Sequence, residues 1–375
     1  MTIAVIGRGL IGSAAARHLA EGGAEVVLIG PPEPEDKATH GGVFGSHYDE
    51  GRITRGLDPD PFWSRVSLAS IARYRELEAR SGIAFFDEVG TLMAGAASAE
   101  LVAQVEAVAE RNGIAAERLD ADALRARFPM FAFPDDAAGH FEARGAGHVS
   151  PRRLVAAQTR LAEAAGARLV PLEATGLRET SAGVEIATAE GPVRADRALL
   201  ATGGFAGTLL PGALDLKVCA RTVCFAEIDD EEAARLAGQP TLIWHNPIGD
   251  NPYLLPPIRY PDGAVRLKIG GDPKDIVLPD AEATKAWFRS GGSAEVAAHL
   301  EGLMRARIPG LRATDVTRAA CVTTYTPRNR PVIARLTDRL ACAVAGNGKG
   351  AKCSDELGRI GAEAVLGRCD PALAA

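Results

Sequence analysis

The sequence lacks the features that mark membrane, metal-binding and nucleic-acid-binding proteins. No segment approaches the roughly 20 consecutive apolar residues of a membrane-spanning helix, and no basic stripe offsets the net charge of −6, so neither a membrane nor a nucleic acid is expected as a partner. The six cysteines include no Cys-x-x-Cys pair, so we expect reduced thiols and no metal site. Because the first predicted strand begins at the third residue, it leaves no room for a signal peptide, and a cytoplasmic protein is expected.

What the chain does contain is the composition of an ordinary globular protein. Its 375 residues are 47% hydrophobic and 24% charged, values that are typical of globular domains. A chain of this length can bury a large core, and we expect about two domains.

The most informative motif lies at the N-terminus. Residues 3–12 form a predicted strand that turns through Gly7, Gly9 and Gly12 into a helix over residues 10–21. In dinucleotide-binding folds the first glycine permits a tight turn, the second lets the backbone approach a pyrophosphate, and the third allows the helix to pack closely on the strand. The helix then directs its positive end at the phosphates. The sequence therefore predicts a bound dinucleotide.

One part of this motif is missing. The acidic residue that would grip the adenosine ribose at the end of the second strand is replaced by Gly30, and the following loop offers Glu33 or Glu35 in its place. Two further small-residue turns follow apolar strands much later in the chain, at 202–204 and 345–352. We expect both to return beside the first glycine loop, so that the dinucleotide fold is assembled from separated segments.

Five further motifs are spread along nearly the whole chain. They are Ser46-His47 followed by Arg52 and Arg55, Asp60-Pro-Phe-Trp and Tyr74-Arg-Glu-Leu-Glu on one helix, Lys268 in Leu-Lys-Ile-Gly, Cys321 in Cys-Val-Thr-Thr-Tyr-Thr, and the glycine-rich turn that leads to Lys352. In their order and approximate spacing these motifs resemble those of the monomeric sarcosine oxidase group of the D-amino-acid-oxidase-like flavoenzymes.

The resemblance implies an α/β fold with a Rossmann-like FAD-binding domain assembled from discontinuous segments. An α+β substrate domain with a mixed or antiparallel sheet completes it. We expect residues 1–80, 145–215 and 320–375 to form the FAD-binding domain, and residues 81–144 and 216–319 to form the substrate domain.

The cofactor implied by the resemblance is FAD, bonded to Cys321 as a thioether to a ring methyl group. A thiolate is the nucleophile that such a bond requires. The alternative for Cys321 is a small buried strand residue. The residues predicted to bind FAD are Gly7, Gly9, Leu10, Ile11, Gly12, Glu33, Ser46, Arg52, Val170, Thr202, Gly203, Cys321, Gly346, Gly348, Gly350 and Lys352.

The resemblance also assigns the cations. Arg52 is expected to lie against the flavin, and Arg55 and Lys352 to bind a substrate carboxylate, which a planar guanidinium can hold through two hydrogen bonds. The glycine-rich turn is one residue shorter than is usual in the family, so Lys349 is an alternative to Lys352. Lys268 is expected near the flavin, where a positive charge favours electron transfer to dioxygen.

Three further residues bear on the substrate. His47 and Tyr253 are expected to make polar contacts in the site, although a capping or core role for His47 is an equal alternative. Sarcosine-oxidising members of the family carry a histidine four residues after the lysine, where this chain has Asp272. That difference favours another amine, or a ring substrate, over sarcosine.

We therefore expect FAD-dependent oxidation of the C–N bond of a small carboxylate-bearing secondary or cyclic amine, with dioxygen as acceptor and hydrogen peroxide as product. The alternatives are a flavin dehydrogenase or a 2-hydroxy-acid oxidase on the same scaffold, or a nicotinamide-dependent or non-catalytic dinucleotide-binding protein. A monomer or a homodimer is expected.

Overall fold

The N-terminal motif folds as a strand, a glycine turn and a helix, as its spacing predicts. In the computed structural model, which describes residues 1–245 and 251–368, β1 (Thr2–Ile6) and β2 (Glu25–Ile29) pair in parallel, and α1 (Leu10–Glu21) connects them. Both strands are apolar and almost completely buried, as is typical of a parallel sheet that is covered on both faces.

The remaining strands have between 2 and 12 residues, and the remaining helices between 4 and 21. The further helices are α2 (Pro61–Ser81), α3 (Glu100–Asn112), α4 (Ala121–Arg127), α5 (Pro151–Ala164), α6 (Ala206–Leu209), α7 (Asp230–Arg235), α8 (Ala281–Ser290), α9 (Ala294–Arg307) and α10 (Gly350–Val365). The further strands are β3 (Arg52–Thr54), β4 (Phe86–Asp87), β5 (Thr91–Ala96), β6 (Ala116–Asp120), β7 (Ala137–Glu142), β8 (Gly147–Val149), β9 (Arg168–Val170), β10 (Gly176–Thr180), β11 (Gly183–Ala187), β12 (Val193–Ala195), β13 (Arg197–Leu200), β14 (Lys217–Ile228), β15 (Thr241–His245), β16 (Tyr253–Arg259), β17 (Val265–Gly270), β18 (Ile276–Val277), β19 (Asp315–Tyr325), β20 (Val332–Arg335) and β21 (Leu340–Val344).

In the first sheet, the glycine loops after β1 and β21 and the turn after β13 all lie at the carboxyl ends of the parallel strands. Its strand order is β20-β21-β13-β1-β2-β9, and every neighbouring pair except β20–β21 is parallel. Strand β1 lies between β13 on one side and β2 on the other. Ligands of open α/β sheets bind in the crevice at the carboxyl ends of the strands, where the connections from neighbouring strands lead to opposite sides. There the Ala201 N–H donates to the Ile6 carbonyl oxygen at 2.8 Å, so the turn after β13 lies directly beside the turn after β1.

A second, larger sheet contains both parallel and antiparallel strands. Its order is β18-β14-β17-β16-β15-β5-β7-β6, and β19 also pairs with β14. The β5–β15 pair is parallel, whereas β14 is antiparallel to β17, β18 and β19. Its core includes Phe128, Phe141 and Trp244, together with Leu300 and Met304 from α9. The predicted α/β fold, with a parallel dinucleotide-binding sheet and a mixed second sheet, is confirmed.

The boundary that the sequence analysis placed at residue 320 falls inside β19. This strand pairs with β14 from Asp315 to Tyr325, so the large sheet extends across the boundary. A small sheet, β3-β8-β4, also joins residues of three predicted segments. The division of the chain into 1–80, 145–215 and 320–375 against 81–144 and 216–319 stays a prediction.

Glycines set the bounds of the last three helices. Gly291 and Gly292 separate α8 from α9, because they adopt φ values of 71° and 94°, which a right-handed helix does not allow. The last helix, α10, begins at Gly350, directly after the glycine-rich turn.

Other sequence expectations concern membranes, metals and thiols. None of the helices within the described ranges has the length and hydropathy to cross a bilayer. In the same residues, no cluster of three His, Cys, Asp or Glu side chains could hold a metal ion. The cysteines at 219, 224, 321, 342 and 353 are not disulfide-bonded, and Cys369 lies outside the described residues.

A buried ion cluster fixes α1, α2 and α5 against α10. The Asp355 carboxylate accepts hydrogen bonds from Arg17 at 2.7 Å and from Gln158 at 2.8 Å, and it pairs with Arg73. Burial opposes its ionisation, but the contacts with His18, Arg17 and Arg73 hold the pKa of Asp355 well below its usual range. The packing of these helices therefore depends on a desolvated charge.

Removing that charge should destabilise the fold. In Asp355→Ala the buried Arg17 guanidinium loses its buried counter-charge and keeps only the partly exposed Glu21, so we expect the free energy of unfolding to fall by about 3–5 kcal/mol. Urea denaturation of the holoprotein measures the loss. The control is Asp338→Ala, which removes an ion pair with Arg335. Because the Asp338 side chain is 96% exposed, this substitution should lower the free energy of unfolding by less than about 0.5 kcal/mol. Equal losses in the two variants would contradict the role given to the cluster.

Candidate active site

A cavity of about 590 Å³ extends from the glycine loop of the first sheet to the wall of the second. Its volume lies in the range of small-molecule and cofactor sites. The predicted site residues in its lining are Gly7, Gly9, Leu10, Ile11, Ser46, His47, Arg52, Arg55, Thr202, Gly203, Tyr253, Cys321, Gly346, Gly348, Gly350 and Lys352. Gly12, Glu33, Val170 and Lys268 are not part of the lining.

The geometry of the glycine loop fits a dinucleotide. Gly7 has a φ of 110°, and a Cβ there would collide with the Ala201 carbonyl group. A Cβ on Gly12 would overlap the Gly7 carbonyl oxygen, so the helix can pack closely only because the residue is glycine. At Gly9 the nearest atom to a Cβ would be His47 Nδ1 at 3.9 Å, which leaves the backbone open towards the cavity. This cradle and the N-terminus of α1 can hold a pyrophosphate.

The residue at the end of β2 is glycine for a steric reason. A Cβ on Gly30 would collide with the backbone N and the Cβ of Arg8, and the Gly30 N–H donates to the Val170 carbonyl oxygen at 3.0 Å. The Glu33 carboxylate is already paired with Arg152 at 2.6 Å and with Lys37 at 2.9 Å. A ribose contact from Glu33 stays a prediction.

Cys321 lies on β19 beside a guanidinium group. Arg52 Nη2 is 3.4 Å from Cys321 Sγ and donates to the Ser46 carbonyl oxygen at 3.2 Å. The Trp287 indole N–H donates to the Cys321 carbonyl oxygen at 2.9 Å. A thiol that adjoins a cation and is partly open to a cavity has the surroundings of reactive cysteines.

The glycine-rich turn after β21 is fixed to the same strand. The Asn347 N–H donates to the Thr324 carbonyl oxygen at 3.1 Å, and the Thr326 N–H donates to Asn347 Oδ1 at 3.0 Å. Ala345, Asn347 and Gly348 all have positive φ values. The turn therefore places the N-terminus of α10 next to β19.

Asp49, which the sequence analysis did not single out, is the carboxylate partner of Lys268 and Arg52. Lys268 Nζ donates to Asp49 Oδ2 at 2.6 Å and to the Gly51 carbonyl oxygen at 2.7 Å, and the Tyr260 hydroxyl donates to Asp49 Oδ1 at 3.1 Å. Arg52 Nη1 also pairs with Oδ2. Burial opposes ionisation, but the charges of Lys268 and Arg52 hold the pKa of Asp49 well below its usual range.

Lys268 is fully buried, so its polar environment is the Asp49 carboxylate and not solvent. Burial and the nearby Arg52 guanidinium lower the pKa of Lys268 to about 8, against the effect of Asp49. Its Nζ lies 5.7 Å from the ring centroid of Tyr253, which does line the cavity. Lys268 is therefore a charge held behind the cavity wall.

His47 and Tyr253 occupy opposite parts of the chain and both border the cavity. Burial lowers the pKa of His47 to about 4, so its imidazole is neutral near neutral pH. Tyr253 lies across Gly270, where a Cβ would collide with the tyrosine ring. Burial raises the pKa of Tyr253, so its hydroxyl keeps its proton.

Three cations of the cavity wall converge on one buried carboxylate. Lys352 Nζ lies 3.0 Å from Asp58 Oδ2, Lys349 Nζ lies 3.1 Å from Oδ1, and Arg55 Nη2 lies 3.7 Å from Oδ2. Burial opposes ionisation, but Lys352, Arg55 and Lys349 hold the pKa of Asp58 well below its usual range. The structure thus brings both alternative lysines to the same place as Arg55, and an anion can be bound there.

Asp272, the residue that departs from the family pattern, lies at another part of the lining. Its carboxylate accepts the Thr222 N–H at 2.9 Å and is 3.9 Å from Arg221 Nε. Burial raises the pKa of Asp272. The side chain is thereby attached to β14.

Sequence reasoning missed Asp49 and Asp58, although each lies three residues from an arginine that it did select. Asp49 precedes Arg52, and Asp58 follows Arg55. An acidic residue near each buried arginine was the available signal, because a buried guanidinium needs a counter-charge. Their lysine partners, more than 200 residues away, could not be read from the spacing.

Comparison with known proteins agrees with this geometry. A model of the family described as FAD dependent oxidoreductase (DAO) matches residues 2–364. Monomeric sarcosine oxidase from Streptomyces avermitilis is 30% identical, with 97% of this chain and 93% of the relative covered. N-methyl-L-tryptophan oxidase from Salmonella arizonae is 26% identical, with 96% of this chain and 94% of the relative covered.

Solved structures show the same fold. NikD, described as an unusual amino acid oxidase essential for nikkomycin biosynthesis, matches in its open form with a TM-score of 0.79 at 21% identity, covering 98% of this chain and 94% of its own. Glycine oxidase from Bacillus cereus matches with a TM-score of 0.75 at 18% identity, covering 98% of each chain. The family resemblance noted in the sequence is confirmed, and the chain belongs to the DAO family of FAD-dependent oxidoreductases.

Proposed function

We propose that this protein is an FAD-dependent oxidase that oxidises the C–N bond of a small secondary or cyclic amine bearing a carboxylate. Dioxygen is the electron acceptor and hydrogen peroxide the product. The observation that carries the proposal is a single cavity whose lining includes both the glycine loop and the cations Arg55, Lys349 and Lys352. The relatives named for sarcosine and N-methyl-L-tryptophan support it, since both names denote N-methylated amino acids.

The cofactor would be held by residues of both halves. Gly7, Gly9 and the N-terminus of α1 would bind the pyrophosphate, and Cys321 Sγ would carry the flavin as a thioether. When bound, FAD supplies the two-electron acceptor for the substrate hydride. Arg52, with its guanidinium beside Cys321, would place positive charge next to the flavin, which favours the anionic reduced form.

Arg55 is the best placed group for the substrate carboxylate. Its nearest acidic side chain, Asp58, is 3.7 Å away, too far for a good hydrogen bond. Its Nε contacts Met93 Sδ at 3.3 Å, a weak acceptor. The guanidinium can therefore bind a carboxylate through two hydrogen bonds, with Lys352 as a second cation. A substrate held in this way would have a fixed orientation in the cavity, as transfer of its α-hydrogen to a bound flavin requires.

The substrate carboxylate should be required for binding. The holoprotein should consume dioxygen with N-methyl or cyclic amino acids, while their decarboxylated amines should bind poorly. Arg55→Ala should raise the substrate dissociation constant roughly tenfold to a hundredfold, because a charged hydrogen bond contributes ~1.5–3 kcal/mol. Oxygen uptake and rapid-reaction titration measure both effects, and Arg65→Ala, an exposed arginine of α2, is the control.

Equal activity on decarboxylated amines would contradict this function. Turnover that needs an added dye and no dioxygen would identify a dehydrogenase instead.

The flavin should remain attached to the polypeptide after acid precipitation. Cys321→Ala should release it, because the variant has no sulfur beside Arg52. Peptide mapping should find flavin mass on the Cys321 peptide of the wild type. Cys219→Ala on the neighbouring strand should keep the attached flavin, since Cys219 is buried and outside the cavity lining. A colourless wild-type pellet with unmodified Cys321 would leave only noncovalent FAD.

Lys268 should matter more for dioxygen than for the amine. Lys268→Met should slow reoxidation of the reduced enzyme far more than its reduction, because the positive charge stabilises superoxide. The pKa of Lys268 is lowered to about 8, so the charge is present at lower pH and is lost as pH rises through that value. Stopped-flow reoxidation should therefore slow above about pH 8 in the wild type, and this pH dependence should be absent from the variant. Equal effects on both half-reactions would indicate a structural lysine.

A further inference from the structure

Asp58 lies behind the cations of the cavity wall. Arg55, Lys349 and Lys352 line the cavity, whereas Asp58 does not, and its side chain is 0% exposed. The carboxylate therefore contacts the two ammonium groups without itself being exposed to the cavity. A ligand that enters the cavity meets the cations first.

The Asp58 carboxylate joins two remote chain segments. Each of its oxygens contacts one lysine, Oδ1 that of Lys349 at 3.1 Å and Oδ2 that of Lys352 at 3.0 Å. The Asp60 N–H donates to Oδ1 at 3.1 Å and fixes the carboxylate from its own loop. In this way one side chain sets the position of both lysines relative to Arg55.

We propose that Asp58 is a positioning residue that keeps Lys349 and Lys352 charged and in place beside Arg55, so that the three cations act together as the substrate-carboxylate subsite. The proposal rests on the proposed function, since it assigns the chemistry of the same site. It also explains how two lysines can be useful at one position, because Asp58 holds one with each oxygen.

The other titratable groups around Asp58 do not replace it. The Glu142 carboxylate on β7 accepts the Gly56 and Leu57 N–H groups, and burial raises its pKa. Burial lowers the pKa of His245 on β15 to about 4, and burial raises the pKa of Cys353 on α10 to about 11, so both are neutral near neutral pH. Within the described residues, the ion pairs of both lysines are with Asp58.

The charge balance gives the expected pH dependence. Burial lowers the pKa of Lys352, and Asp58 opposes that effect. Without Asp58 the buried lysine loses its proton at a lower pH, and the subsite then loses affinity for an anion. At low pH, where both lysines keep their protons, removal of Asp58 instead removes a competing anion and strengthens binding.

Acetate binding to the holoprotein tests this inference, measured by calorimetry at intervals from about pH 6 to about pH 10, the range that spans lysine deprotonation. Asp58→Asn should bind acetate severalfold more tightly than the wild type at the acid end. Its alkaline midpoint should lie about one pH unit or more below that of the wild type, as expected for loss of an opposite charge at this distance. The two curves should therefore cross. Asp58→Glu should restore the wild-type curve.

The matched control is Asp60→Asn. Asp60 caps α2 and pairs with Arg330, so its loss should lower stability and leave the acetate curve unchanged. An Asp58→Asn curve that differs from the wild type by one constant factor at every pH would overturn the inference. If Asp58→Asn does not fold, Lys349→Met decides: removing that like charge should raise the alkaline midpoint, and an unchanged midpoint would overturn the inference.

The failure of this inference is distinguishable from failure of the proposed function. If acetate binding depends on Arg55 but not on Asp58, the inference is wrong and the proposed function stands. If acetate does not bind to the wild type, or binds equally to Arg55→Ala, the carboxylate subsite itself is wrong.

Discussion

The need to neutralise buried cations shapes the wall of this cavity. Lys268 and Lys352 are fully or almost fully buried, and a desolvated ammonium group is stable only beside a carboxylate. Asp49 and Asp58 supply those carboxylates from one short segment of the chain. Each aspartate holds a lysine from a distant element together with an arginine from its own segment.

This arrangement requires that remote parts of the chain meet accurately. The segment that contains Asp49 and Asp58 contacts β17 through Lys268 and α10 through Lys352. The Tyr74 hydroxyl donates to the Lys352 carbonyl oxygen at 2.9 Å, so α2 also fixes the start of α10. The glycine-rich turn before α10 is hydrogen-bonded to β19. The lysines at the start of α10 are therefore fixed in position relative to the strand that contains Cys321.

Local constraints could be predicted from the sequence, and long-range ones could not. The glycine loop was predictable because Gly7 and Gly12 occupy places where a Cβ would collide with backbone. The location of Lys268 was not, since alternation along β17 gives its face but not the carboxylate 219 residues away that it meets. Gly30 was recognised as a departure, yet its cause, the approach of Arg8, is visible only in three dimensions. Asp58 shows the same limit, because its importance lies in which lysines it contacts.

The two aspartates also divide the cations into separate groups. Asp49 holds Arg52 and Lys268 on the side of Cys321, while Asp58 holds Lys349 and Lys352 beside Arg55. Strict alternation along a strand would direct residues three apart to opposite faces. Because β3 ends at Thr54, the backbone at Arg55 is not extended strand and its side chain need not point to the opposite face. Arg52 and Arg55 therefore both line the same cavity. One short strand end therefore allows a single segment to place one group of charges beside Cys321 and another beside the two lysines at the start of α10, each with its own carboxylate.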